Sequence, residues 1–333
     1  MITRTRPLLW LPLCVLLVAV AAVLSVVLGA RTVSPGDTFA ALVHGEHGSL
    51  ARAAVRQRVP RTGLALLVGA ALGTAGAVMQ SLTRNPLADP GILGVNAGAA
   101  LAVVCGIAYL GISTPEQYVW LAIAGAGAAA VLVYLIGSRG RGGATPVKLA
   151  LVGTMVTAAL SSLVSAVLLP RIDVVDTFRF WQIGGVGGAS TSGVLQVLPL
   201  LAVGFVLSLV SAPGLNALSL GDDFATGLGE HVARTRLLAA VGAVLLCGAA
   251  TAAAGPIGFV GLVVPHLVRL LIGPDNRWVL PFSALGGAAL VTLADVTGRL
   301  VARPGDMEVG IVTAVIGAPV FIAVARRQKV REL

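Results

Sequence analysis

A chain of 333 residues that is 57% hydrophobic and only 11% charged, with a mean hydropathy of +0.95, carries far more apolar sequence than one soluble core can bury. The bilayer is the natural solvent for most of it. The formal net charge of +9 does not point to nucleic acid, because the basic residues are scattered through the connectors between apolar runs. The three cysteines, Cys14, Cys105 and Cys247, each lie inside such a run, which excludes a disulfide framework and a cysteine metal cluster.

A spanning helix needs about 20 predominantly apolar residues. Ten runs approach that length: 8–30, 62–82, 92–111, 118–137, 147–169, 193–211, 235–254, 256–272, 279–302 and 309–325. Arg4 and Arg6 precede the first, whose apolar stretch is longer than a secretory signal core, so it reads as an uncleaved span. The polar connector 31–61 has room for a short helix and a turn, and no soluble domain fits. The expected architecture is therefore all-α: one polytopic membrane domain over residues 1–333, with about ten transmembrane helices.

Between the second and third runs stands "SLTRNPLADPGILGVNAGA", residues 81–99. Pro86 and Pro90 forbid an undisturbed helix there, Asn85 and Asp89 are suited to the freed backbone groups, and Gly91 and Gly94 permit tight geometry. Irregular backbone at membrane depth survives only when buried in protein or lining an aqueous cavity. "GGVGG" at 184–188 lacks the preceding strand and the following Lys-Ser or Lys-Thr of a phosphate loop, and reads as a re-entrant or short external segment. The segment 219–236 suits a short helix with Asp222 or Asp223 near its start, where the helix dipole favours a negative charge, and with Gly227 and Gly229 as breaks. In the ninth run Asp295 is an intramembrane acid. It reads either as functional or as the simple partner of Arg299, four residues on. Small-residue strings such as "GAALGTAGA" and "GAGAAA" signal close helix packing.

With both termini cytoplasmic, 14 of the 23 lysines and arginines fall inside and nine outside, which favours that orientation. The external cluster Arg52, Arg56, Arg58 and Arg61 runs against the rule and needs a purpose. The two lysines, Lys148 and Lys329, complete no Walker A motif, there is no H-E-x-x-H, and His44, His47, His231 and His266 are scattered. No catalytic site and no metal site is read from the chain.

Four stretches carry a family resemblance: 58–99; "SLGDDFATGLGEHVARTR" (219–236); "GPIGFVGLVVPHLVRLLIG" (255–273); and "LADVTGRL" followed by "GIVTAVIGAPVFI" (293–322). They resemble the permease family of ATP-driven importers for iron–siderophore complexes, haem and cobalamin, and within it the ferric-enterobactin branch. The resemblance implies a type II ABC importer permease fold in the bacterial cytoplasmic membrane. It also implies a second permease subunit, either a related non-identical chain or a copy, two cytoplasmic ATPase subunits that hold ATP and Mg, and an external substrate-binding protein that delivers the cargo. This chain would bind no cofactor itself. The favoured cargo is a ferric siderophore, with haem or cobalamin as alternatives and an ion-coupled secondary transporter as a different class.

Residue by residue, the resemblance assigns Asp222, Asp223, Phe224, Gly227, Leu228 and Gly229 to the ATPase-coupling loop. It assigns Arg58, Arg61 and Arg299 to docking of the binding protein, and Asn85, Pro86 and Leu87 to the cytoplasmic gate. Two stretches depart from the pattern. Glu308 stands where many relatives have proline, and "ATPVK" places Pro146 and Val147 where some relatives have polar gate residues.

Overall fold

The computed structural model describes residues 7–29, 36, 50–112, 114–139 and 145–329, and leaves out the side chains of 7, 50–54, 115, 146 and 324–329. His44, His47 and the side chain of Arg52 lie outside the described residues. In chain order the helices are α1 (Pro7–Val27), α2 (Leu50–Thr83), α3 (Val95–Leu110), α4 (Pro115–Gly137), α5 (Pro146–Leu168) and α6 (Ile172–Ile183). They continue with α7 (Thr191–Leu218), α8 (Asp222–Gly227), α9 (Val232–Ala254), α10 (Val260–Ile272), α11 (Asn276–Val301) and α12 (Val309–Lys329). A 3-10 turn, Pro90–Leu93, precedes α3.

Each of the ten apolar runs coincides with one helix, and the two further helices among the described residues, α6 and α8, are short connectors at opposite ends of the bundle. Seven helices are long and apolar enough to cross a membrane, while Val95–Leu110, Val260–Ile272 and Val309–Ala323 are shorter apolar helices. Local chemistry sets several of the starts. Thr145, Ser190 and Asp275 each accept a backbone N–H from the first turn of the helix they precede, α5, α7 and α11 respectively. Pro146 occupies the first position of α5, where its missing N–H costs nothing.

The second span differs from its sequence reading. The α2 helix starts at Leu50, 12 residues before the apolar run, so the arginine cluster is helical and does not lie in a loop. Its 34 residues extend about 51 Å at 1.5 Å per residue, against about 30 Å of hydrocarbon. Polarity marks where the lipid ends, and a helix need not stop there.

Helix α2 is also the buried centre. In its most apolar window 78% of residues are buried, against 11% for α1 and 17% for α5. It packs chiefly on α11, α9 and α10. The packing uses the small-residue string: methyl groups on Gly69, Gly73 or Gly76 would collide with carbonyl oxygens of Gly287, Ser283 and Gly261. Lipid tails are as apolar as leucine, so association rests on such backbone-to-backbone approach. Between α9 and α10 the chain leaves helical geometry at 255–259, with Phe259 at φ 68°.

Candidate functional site

At the α8 end of the bundle, α2 stops at Thr83 and Arg84 takes φ 52°. Asn85 Oδ1 then accepts the Leu87 N–H at 2.9 Å, and Asp89 Oδ1 accepts the Gly91 N–H at 2.8 Å. Gly94, at φ 74°, joins the 3-10 turn to α3, a left-handed conformation that glycine adopts without Cβ strain. The polar residues of 81–99 thus do what their types dictate, satisfying backbone that two prolines have broken. Pro86 and Leu87 face Leu262 and Val263 of α10 and Val320 and Phe321 of α12 across a narrow crevice.

Helix α8 begins with Asp222 and Asp223 in its first turn, and Gly229 breaks the chain after it at φ 83°. Ala225 anchors it by burial, while Phe224 and Leu228 are 72% and 69% exposed. Asp222 is the hub. Its Oδ1 accepts Arg84 Nη2 at 2.5 Å, and its Oδ2 accepts Arg236 Nη2 at 2.8 Å. One carboxylate therefore joins the connector after α2, the short helix and the start of α9.

Behind this hub lies a second polar network. Arg269 of α10 donates to Gln80 Oε1, to Ser81 Oγ at 3.0 Å and to the Ala77 carbonyl at 3.1 Å. Ser81 Oγ in turn donates to Asn276 Oδ1 at 2.6 Å, and Asn276 Nδ2 donates to Asn216 Oδ1 at 2.9 Å. Helices α2, α7, α10 and α11 are thereby locked together at one level. Sequence reasoning missed this network. Each residue alone is an ordinary polar side chain at a span end, and only the fold brings them together.

At the α6 end the arginines expected to meet a partner are placed differently. Arg58 is 6% exposed, and its Nη1 donates to the Val26 and Val27 carbonyls at 3.1 and 2.8 Å. Arg299 is 2% exposed and donates to the Ser25 and Leu28 carbonyls, each at 3.0 Å, and to Ser25 Oγ at 2.8 Å. Arg303 adds a bond to the Gly29 carbonyl at 2.8 Å. The last turn of α1 has no basic residue of its own, and these three side chains supply both the missing donors and the positive charge that a helix C-terminus favours. Arg58 and Arg299 are therefore turned inward in this structure and are not presented to solvent.

Asp295 is fully buried and does pair with Arg299, at 2.8 Å between Oδ2 and Nη2. It has a second partner that spacing does not reveal. Arg61 directs Nε and Nη2 to Asp295 Oδ1 at 3.0 and 2.8 Å, and Nη1 to Asp306 Oδ2 at 2.7 Å. A buried carboxylate with two guanidinium partners belongs to an ion-pair network. Arg56, by contrast, is exposed.

The comparisons with known proteins follow the same outline. The model of the FecCD transport family matches residues 16–327. The chain belongs to the FecCD transport family. It is 44% identical over 318 residues to the ferric enterobactin transport system permease protein of Escherichia coli (strain K12), covering 95% of each chain. To the iron(3+)-hydroxamate import system permease protein FhuB of Bacillus subtilis (strain 168) it is 43% identical over 315 residues, 94% of this chain and 82% of the relative. A solved metal-chelate type ABC transporter in an inward-facing conformation superimposes with a TM-score of 0.81 at 28% identity, covering 94% of this chain and 97% of that one. The FecCD chain is thus a multi-pass membrane permease subunit of an ABC importer and not an enzyme. ATP hydrolysis belongs to a separate subunit, and such a permease works with ATPase, binding-protein and permease partners.

Proposed function

We propose that the FecCD chain carries a ferric siderophore complex across the bacterial cytoplasmic membrane, with both termini and α8 on the cytoplasmic side. The observation that carries the mechanistic part is the Asp222 hub: α8, a short helix with the exposed apolar side chains of Phe224 and, just past its end, Leu228, is tied by a carboxylate to the Arg84 connector. A surface that is apolar at the centre and acidic at the edge suits docking into an ATPase cleft. Asp222, Asp223, Phe224, Gly227, Leu228 and Gly229 form that surface. ATP and Mg reside on the two ATPase subunits, so this chain needs no cofactor.

Motion imposed on α8 reaches Arg84 directly and, through it, Asn85, Pro86 and Leu87, where Leu87 closes the inner mouth of the path. The state populations then follow the nucleotide state of the partner. The path runs between this chain and a related, non-identical permease, for which the exposed apolar faces of α5 and α12 are available. On the outer side the binding protein docks near Arg61, Arg56 and the α2 extension. Arg58 and Arg299 hold α1 in place beneath that surface. The ferric siderophore cargo is favoured by the names of the relatives.

The test is uptake of labelled iron by cells lacking this gene, offered a catecholate siderophore, a hydroxamate siderophore and haem in turn, with labelled cobalamin as a separate arm. Loss of one siderophore alone supports the reading. Loss of haem or cobalamin uptake, with siderophores unaffected, overturns the cargo assignment.

A further inference from the structure

A hollow lined by aromatic residues, glycines and one carboxylate lies at the α6 end, away from the Asp222 hub and bordering Arg61. It is a cavity of about 370 Å³ whose wall includes Tyr118 of α4, Thr177, Phe180 and Trp181 of α6, Gly185, and Glu308 at the foot of α12. Its size falls at the small end of ligand pockets, which run about 300–1,000 Å³. That is room for an arm of a chelate and not for a whole one.

Glu308 is the unusual wall residue. Its carboxylate rests against Gly185, where any side chain would collide with it. Among the described residues no side chain donates a hydrogen bond to it. The cation that acts on it, Arg61, directs three of its five N–H groups to Asp295 and Asp306. Burial holds the Glu308 carboxyl above its ordinary range; Arg61 pulls it back, and Asp306 and Asp295 push it further up. A half-buried carboxylate in this position feels the charge of Arg61 but has no side chain hydrogen-bonded to it among the described residues. The aromatic residues beside it attract cations through their ring faces.

We propose that this cavity is a subsite for a protonated amine carried on the cargo, with Glu308 as the anion that pairs with it and Phe180 and Trp181 as aromatic walls. The inference rests on the importer reading for the source of the amine, and it names a cargo class: ferric chelates with a cationic arm are accepted here, and chelates that place an anion at this point are repelled. Glycines at 185, 187 and 188 keep the mouth of the cavity open, since side chains there would narrow it.

The test is equilibrium binding to the assembled importer in nanodiscs, without nucleotide and without binding protein. The probes are a gallium trihydroxamate bearing one free primary amine and the same chelate with that amine acetylated. The wild type is expected to bind the amine form about tenfold more tightly, the scale of a charge-assisted hydrogen bond. Glu308→Gln is expected to abolish the preference. Phe180→Leu, at an exposed position that folding does not depend on, is expected to reduce it by about threefold. Equal affinity for the two probes in the wild type overturns the proposal, as does a preference that survives Glu308→Gln. Importer failure is read separately: a preserved amine preference with no ATP-driven uptake of either chelate leaves the subsite standing and sinks the transport reading.

Discussion

Arg84 Nη2 and Asp222 Oδ1 stand 2.5 Å apart, although 138 residues separate them in the chain. The contact ties the connector after the most buried helix to the short helix α8. The two side chains are 42% and 44% exposed, so the pair contributes at most about 1 kcal/mol to stability. Its value lies in what it connects.

Arg84→Gln and Asp222→Asn should therefore insert and melt like the wild type, within about 1 kcal/mol. Each should lower cargo-stimulated ATP hydrolysis about tenfold, and the double variant should be no worse than the poorer single one, as for two residues acting through one contact. Additive losses would show that they act separately.

Phe224→Ala and Leu228→Ala remove exposed apolar side chains, so folding should be indifferent to them. If they anchor the ATPase, co-purification of that subunit should weaken by about tenfold or more, as at other interface hot spots. Undiminished co-purification would take α8 out of the docking surface.

Asp295→Asn leaves two guanidinium groups facing a neutral amide in a fully buried site. Breaking one side of such a pair costs about 3–5 kcal/mol, far more than an exposed pair does. Thermal unfolding in detergent should show that loss. Asp306→Asn removes a partner that is 41% exposed, and should cost less than about 1 kcal/mol. Equal effects would mean that Asp295 is better solvated than the structure shows.

Gly76→Ala should separate α2 from α10, because the added methyl meets the Gly261 backbone, whereas Gly127→Ala on α4 meets nothing within 4 Å. The first should lower the melting temperature and the second should leave it unchanged or raise it slightly, since alanine favours helix by about 1 kcal/mol.

Sequence legibility followed a physical divide. Apolar runs of bilayer length had to be helices, because no other open structure satisfies its backbone in lipid, and the prolines of 81–99 had to break one. Asp222 at the head of α8 was also readable, from its own local chemistry. The α2 extension was not, because helical propensity continues past the hydrocarbon edge that hydropathy detects.

The roles of the arginines were decided by tertiary structure alone. Arg58, Arg61 and Arg299 stand at positions that read as external from spacing, yet two of them close the end of α1 and one bridges Asp295 to Asp306. A guanidinium takes whichever carbonyl or carboxylate the fold brings within 3 Å, and partners more than 200 residues away leave no periodicity in the chain. Sequence alone determined the solvent, the helices and the family. The three-dimensional packing decided which charges face one another, because electrostatic pairing depends on distance in space.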